Sequence, residues 1–294
     1  MAISIFCVLI IALLVMVGWF IKSTLLVQVL PEFAPMQFNT ALLFAISSIG
    51  ILAMLWRRDR LTFGAGLLVM LFSFITGIQY PLEITIGLDE LFIDSNTLVQ
   101  TSHPGRMAPN TALCFFLTGF CLITRVKKPK SSLFAIGACL ILALSVVALF
   151  GYVSQTVEAY GWGNLTRMAV HTALGFLLFS SGFILLGWRW AISEIEDRTV
   201  PDWFPLFCGI LTLTAGLCAW SVASKLSSET LAIERLAKRW EIGVRDDRWR
   251  NDSNRYIRNI NGLKAIFRTS EGKLVESFFN NDLVQKNRFQ DPAP

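Results

Sequence analysis

Long apolar runs, broken by short polar stretches, fill the first three-quarters of the chain. Runs at 3–21, 38–56, 62–80, 107–124, 132–153, 168–188 and 203–224 each approach the ~20 apolar residues that a helix needs to cross a bilayer. The pattern predicts seven spanning helices. The first run lacks a basic leading region and is longer than the apolar part of a secretory signal, so it reads as a retained span. Past Lys225 the pattern changes. Leu226, Thr230, Ile233, Ala237, Trp240 and Val244 recur at 4-3-4-3-4 spacing, a heptad-like seam suited to pairing with a second copy. A second helix is expected over 246–259, ended by Asn261-Gly262. Lys264–Ser270 and Leu274–Phe279 predict a hairpin about Glu271-Gly272-Lys273, and 280–294 reads as a polar end. The predicted fold class is an all-α polytopic membrane bundle with a short α+β tail, divided as 1–224 and 225–294.

Charge gives this bundle an orientation. Only 16% of residues are charged, against about 25% in soluble domains. Short breaks on one side carry Arg57, Arg58, Arg60, Arg125, Lys127, Lys128, Lys130, Arg189 and Arg198; those on the other carry Lys22, Arg106 and Arg167. Basic residues in short loops mark the cytoplasmic side. The N-terminus is therefore expected inside, with 22–37, 81–106, 154–167 and the tail outside, in a bacterial cytoplasmic membrane. The tail opens with Lys225, Arg235, Lys238 and Arg239, but long segments translocate largely regardless of charge.

Three segments repeat. Met36-Gln-Phe-Asn-Thr-Ala-Leu-Leu-Phe44, Met107-Ala-Pro-Asn-Thr-Ala-Leu-Cys-Phe115 and Met168-Ala-Val-His-Thr-Ala-Leu-Gly-Phe176 share one pattern, followed by Gly50, Gly119 and Gly182. Each opens a helix returning from the outer side, so the unit is a helical hairpin; three hairpins and a seventh helix make the body. Two readings attach to the polar positions. Asn39, Thr40, Asn110, Thr111, His171 and Thr172 would satisfy the free N–H groups of the first turns, with Pro109 tolerated there. Alternatively they converge with Arg106, Arg167 and Trp162 to line a ligand pocket, since polar groups at membrane depth often mark sites.

Other chemistry is sparse. Connection 81–106 holds Glu83, Asp89, Glu90, Asp94 and His103, and 154–167 holds Glu158 and Tyr160-Gly-Trp-Gly163. Trp162 suits the headgroup level. His103 and His171 are the sole histidines; a bis-histidine metal or haem site on them is the lesser reading, and no cofactor is expected. The six cysteines all lie in apolar runs and read as small buried hydrophobes. No HExxH, P-loop, GxSxG or CxxCH element occurs, so no catalytic residue is expected.

Gly105-Arg-Met-Ala-Pro-Asn-Thr-Ala-Leu113, Tyr160-Gly-Trp-Gly163 and Thr166-Arg-Met-Ala-Val-His-Thr-Ala-Leu174 resemble the multi-helix membrane region that precedes sensor domains in bacterial histidine kinases and diguanylate cyclases. Arg239-Trp-Glu, Trp249-Arg-Asn-Asp, Tyr256-Ile and Asn261-Gly-Leu-Lys-Ala-Ile266 resemble the start of a CHASE domain, an extracytoplasmic PAS-like ligand-binding module. About seventy residues of tail stand where that family has about two hundred, so no ligand residue carries over. The resemblance implies the sensory input module of a transmembrane receptor of the two-component or cyclic-di-GMP type. Its expected partners are the lipid bilayer, a second copy of the chain, a fused or cytoplasmic output domain and an unidentified small ligand, without nucleic acid. A small-solute transporter is the competing reading.

Overall fold

The structure, a computed structural model, describes residues 2–30, 33–89, 91–93, 103, 105–127, 132–162, 165–192, 201–243, 265–270 and 273–279. Its elements are α1 (Ala2–Phe20), α2 (Thr24–Val27), α3 (Phe38–Leu55), α4 (Asp59–Leu82), α5 (Pro109–Lys127), α6 (Ser132–Ser154), α7 (Val157–Tyr160), α8 (Val170–Ile192), α9 (Phe204–Gly243), β1 (Ala265–Ser270) and β2 (Lys273–Phe279). Seven of these helices are long and apolar enough to cross a membrane. The chain is a multi-pass membrane protein built as an all-α bundle.

The chain divides into two units, Met1–Ala223 and Ser224–Pro294. In the second, β1 and β2 pair antiparallel, Ala265 opposite Phe279 and Ser270 opposite Lys273, with an irregularity between Arg268 and Thr269. The expected helix over 246–259, the break at Asn261-Gly262, Val244 of the seam and the polar end all lie outside the described residues. So do Glu90, Asp94, Lys128 and Lys130, and the side chain of Glu158.

In the first unit α1 pairs with α3, α4 with α5, and α6 with α8; α3 then packs on α4, α5 on α6, and α8 on α1. Three hairpins thus close into a ring. Burial sorts the helices into layers: 78% of the spanning window of α3 is buried, but 33% for α1 and 28% for α4. The outer helices turn Ile10, Leu13, Leu14, Leu67, Leu68 and Leu71 outward, as expected where lipid rather than water surrounds the protein.

The return helices begin two residues later than the repeat pattern predicts, at Phe38, Pro109 and Val170. Met36, Met107 and Met168 lie in the extended segments before them. Pro109 is then the first helical residue, where a missing N–H costs nothing. The predicted span 203–224 is likewise only part of α9, a 40-residue helix. Several helices end alike: Ser23 N–H donates to the Gly18 carbonyl (2.8 Å), Arg58 to Ala53 (2.8 Å) and Thr156 to Gly151 (2.8 Å). Lys22, Arg57 and Gln155, each one residue earlier, take positive φ, the left-handed residue of a Schellman stop.

The repeat reappears on the ring's axis. Phe44, Phe115 and Phe176, its three ninth residues, form a triangle with centroids 4.8 Å (Phe44–Phe115), 4.8 Å (Phe44–Phe176) and 4.7 Å (Phe115–Phe176) apart. All three are fully buried, and Phe179 adds a fourth ring 5.5 Å from Phe44. Beside this axis a Cβ on Gly119 would lie 2.5 Å from the Gly66 carbonyl oxygen, so this glycine sets how closely α4 and α5 approach. Phe115→Ala removes one vertex of the triangle and should lower unfolding free energy by about 3–5 kcal/mol, read by denaturant unfolding in detergent; Leu68→Ala on the outer surface should cost well under half of that.

Candidate functional site

The bundle end where the repeats lie is closed by polar contacts rather than by apolar packing. Each repeat methionine leaves a carbonyl at the foot of its return helix. In each hairpin an aromatic side chain near the end of the preceding long helix donates to it. Trp19 Nε1 donates to Met36 O (2.9 Å), Tyr80 Oη to Met107 O (2.8 Å) and Tyr152 Oη to Met168 O (2.6 Å). The short helices add a matching bond. Val27, last in α2, accepts from Met36 N–H (2.9 Å), and Tyr160, last in α7, from Met168 N–H (2.8 Å).

A second set of contacts links neighbouring hairpins in one rotational sense. Asn39, in the first turn of α3, donates through Nδ2 to the carbonyls of Leu88 (3.1 Å) and Asp89 (2.9 Å) in the connection of the second hairpin. Asn110, in the first turn of α5, donates to Tyr160 O (3.1 Å) in the connection of the third. His171, in the first turn of α8, sets its ring beside the Val27 carbonyl in the connection of the first. The contact repeats at the third junction the pairing of side chain with backbone carbonyl seen at the other two.

The expectation that these residues satisfy the first turns of their own helices holds at Asn110 and is corrected at Asn39. The residue capping α3 is Gln37, and it makes no side-chain cap bond. Asn39 sits one residue inside the helix, too late to cap it, and its amide turns outward to its neighbour. Only Asn110 also bonds locally, accepting from Thr111 N–H (3.0 Å). Thr40, Thr111 and Thr172 are buried at the same level.

Arg106 is the charged centre of this end. Its Nε donates to Asp89 Oδ2 at 2.8 Å, and both side chains are at most 5% exposed. One Nη donates to Gln79 Oε1 (3.2 Å), Ile84 O (3.1 Å) and Thr85 Oγ1 (3.3 Å), while the guanidinium lies 5.3 Å from the Tyr80 ring centre. One side chain thus ties the end of α4, its following loop and the start of the second repeat. Arg167, its counterpart in the third repeat, is exposed.

The structure thus joins Asn39 and Arg106 through Asp89, while Asn110 bonds separately to Tyr160 O and His171 lies beside Val27. Trp162, 43% exposed, lies instead at a groove on α4 and α5 that includes none of the other candidate residues. His103 packs edge-on to Tyr80, centroids 5.5 Å apart, whereas His171 faces Val27 of another hairpin. Sequence reasoning missed Trp19, Tyr80, Tyr152 and Gln79. The available signal was an aromatic one or two residues before the end of each outgoing helix. No protein-family model matches the chain, and neither a curated protein nor a solved structure matches it.

Removing one member of a buried ion pair leaves the other uncompensated. Asp89→Leu should therefore cost about 3 kcal/mol of stability, and adding Arg106→Met should recover only part, because Gln79 and Ile84 lose their donor. A double-mutant cycle on unfolding in detergent reads this. Tyr152→Phe should cost about 1–3 kcal/mol, the penalty for a bare buried carbonyl, and Tyr80→Phe a similar amount, against little change for Tyr160→Phe.

Proposed function

We propose that this chain is the sensory input module of a bacterial transmembrane signalling receptor, with the repeat-bearing end on the periplasmic side of the cytoplasmic membrane. The observation that carries this reading is α9. At 1.5 Å per residue its 40 residues reach about 60 Å, twice the hydrocarbon thickness of a bilayer. A helix of that length is suited to carrying a change of packing out of the membrane.

The surface of α9 supports the same reading. One face, with Phe207 and Ile210, packs on the cluster of Ala135, Cys139 and Trp203, and Thr214 on that face is buried. The opposite face carries Gly209, Thr212, Gly216, Ala219 and Ala223, exposed. Their 3-4-3-4 spacing runs on unbroken into Leu226, Thr230, Ile233, Ala237 and Trp240. A single heptad register thus extends from the membrane half into the tail, which favours pairing with a second copy. The bundle interior argues against the permease reading, because Phe44, Phe115 and Phe176 occupy the axis along which a solute would pass.

Ligand-driven signalling requires two packings of the bundle with different affinity for the ligand. The output would be a kinase or cyclic-di-GMP enzyme, fused or separate. In cells carrying the intact gene, inserting two residues after Ala223 turns the distal seam out of register and should change kinase phosphorylation or cyclic-di-GMP level; inserting seven, a whole heptad, should restore it. Indifference of both outputs to insertion phase, or solute accumulation by proteoliposomes of the purified chain, would overturn the proposal.

A further inference from the structure

The end of the bundle opposite the repeats is strongly basic. Its described charged residues are Arg57, Arg58, Arg60, Arg125, Lys127 and Arg189, against the acids Asp59 and Asp202. Membrane topology alone accounts for basic residues in short loops. It does not account for where two of these are held.

Arg125 lies in the last turn of α5. Its guanidinium carbon sits 4.2 Å from the ring centre of Trp190, near the end of α8. Its Nε is buried and meets no acceptor, so an aromatic face from another hairpin holds this arginine, not a carboxylate. Arg57 follows α3 in the turn before α4 and is exposed. Its backbone takes φ 56°, and the turn is fixed by the Arg58 N–H donating to Ala53 O (2.8 Å). Arg57 is near enough to Arg125 for the two charges to repel, and Asp59 offsets only one of them. Lys127 adds a third cation, its Nζ 5.5 Å from the ring centre of Phe63 on α4. Gathering like charges is costly unless an anion joins them.

Depth identifies the anion. Arg57, Arg125 and Lys127 all lie at the ends of spanning helices, and Trp56, beside Arg57, is 67% exposed. Tryptophan in that setting marks the headgroup level, and basic sites between helices at that level suit lipid phosphates. We propose that the surface between the α3–α4 turn and the end of α5 binds the headgroup of an anionic phospholipid, its phosphate shared by Arg57 and Arg125, with Lys127 at the rim. A guanidinium already oriented by a ring is suited to the planar, two-pronged contact that phosphate accepts. This inference needs only that the bundle sits in a bilayer, and it stands apart from the signalling reading.

Native mass spectrometry of the full chain in detergent tests it, with phosphatidylglycerol and phosphatidylcholine of identical acyl chains as probes. The unmodified chain should bind its first phosphatidylglycerol more tightly than its first phosphatidylcholine, whose phosphate carries its own cation. Arg57→Gln, at an exposed position, should cut that preference about 5-fold, the contribution of one basic residue at an anionic surface. Arg189→Gln removes the same charge from the same end but outside the site, and should leave the preference in place. Equal affinity for the two lipids in the unmodified chain overturns the proposal before any variant is made. So does a preference unmoved by Arg57→Gln, or an equal loss in Arg57→Gln and Arg189→Gln, which assigns the attraction to diffuse charge. Displacement of phosphatidylglycerol by millimolar inorganic phosphate assigns the cluster to a soluble anion and also overturns it.

Discussion

A backbone carbonyl buried away from water needs a donor, and the three places where this chain turns back into the membrane each bury one, at Met36, Met107 and Met168. A hairpin that returns through an extended segment before its helix begins leaves the carbonyl of the repeat methionine outside any regular ladder. Helices and closed barrels are the usual solutions because they pair every group internally. Here the remedy is local and threefold: Trp19, Tyr80 and Tyr152 each extend a ring from the outgoing helix and donate to Met36, Met107 and Met168. The ring supplies apolar surface to the bundle while its polar tip meets the carbonyl. With the turns fixed in this way the return helices are held at one level, and Phe44, Phe115 and Phe176 can meet on the axis.

Half of this arrangement is legible in the sequence. The Met-x-x-(Asn/His)-Thr-Ala-Leu repeat marks three hairpins, because a turn that does the same job three times uses the same residues in the same order. The partners of that repeat are not legible. The aromatics stand 17 residues before Met36, 27 before Met107 and 16 before Met168, since the connections differ in length, so no fixed spacing marks them. Sequence proximity assigns Asn39 and Asn110 to their own helix starts, as caps. In the structure their carbonyl partners lie 50 residues further along the chain, and only closure of the ring brings them within reach. The later start of the return helices explains the difference: a polar residue in the first turn rather than before it has its amide free for the neighbour.

The three hairpins are not equivalent, and their differences lie where function would be expected. The second has the longest connection, and there Arg106 and Asp89 sit buried together. A charge pair held out of water seldom adds net stability over apolar packing; its worth is in fixing one arrangement of the α4 end, the loop and the second repeat. The third differs in placing His171 where the others have asparagine. Its ring lies beside the Val27 carbonyl, so the junction between the third hairpin and the first pairs an imidazole with the backbone where the other two pair a carboxamide.

The contact between the third hairpin and α9 bears on the role proposed for the long helix. Phe204, and Trp203 just before the helix, set their rings edge-on to Trp188 of α8, so α9 touches the third hairpin through an aromatic contact at its start. Signalling in the proposed sense would need α8 to shift within the ring and carry Trp188 with it. The apolar axis resists any other response: interlocked rings such as Phe44, Phe115 and Phe176 have few alternative packings, and close-packed interiors move between discrete arrangements rather than deform continuously. The polar contacts at the repeat-bearing end fix the junctions between hairpins, and the phenylalanine core limits how the helices between them can repack.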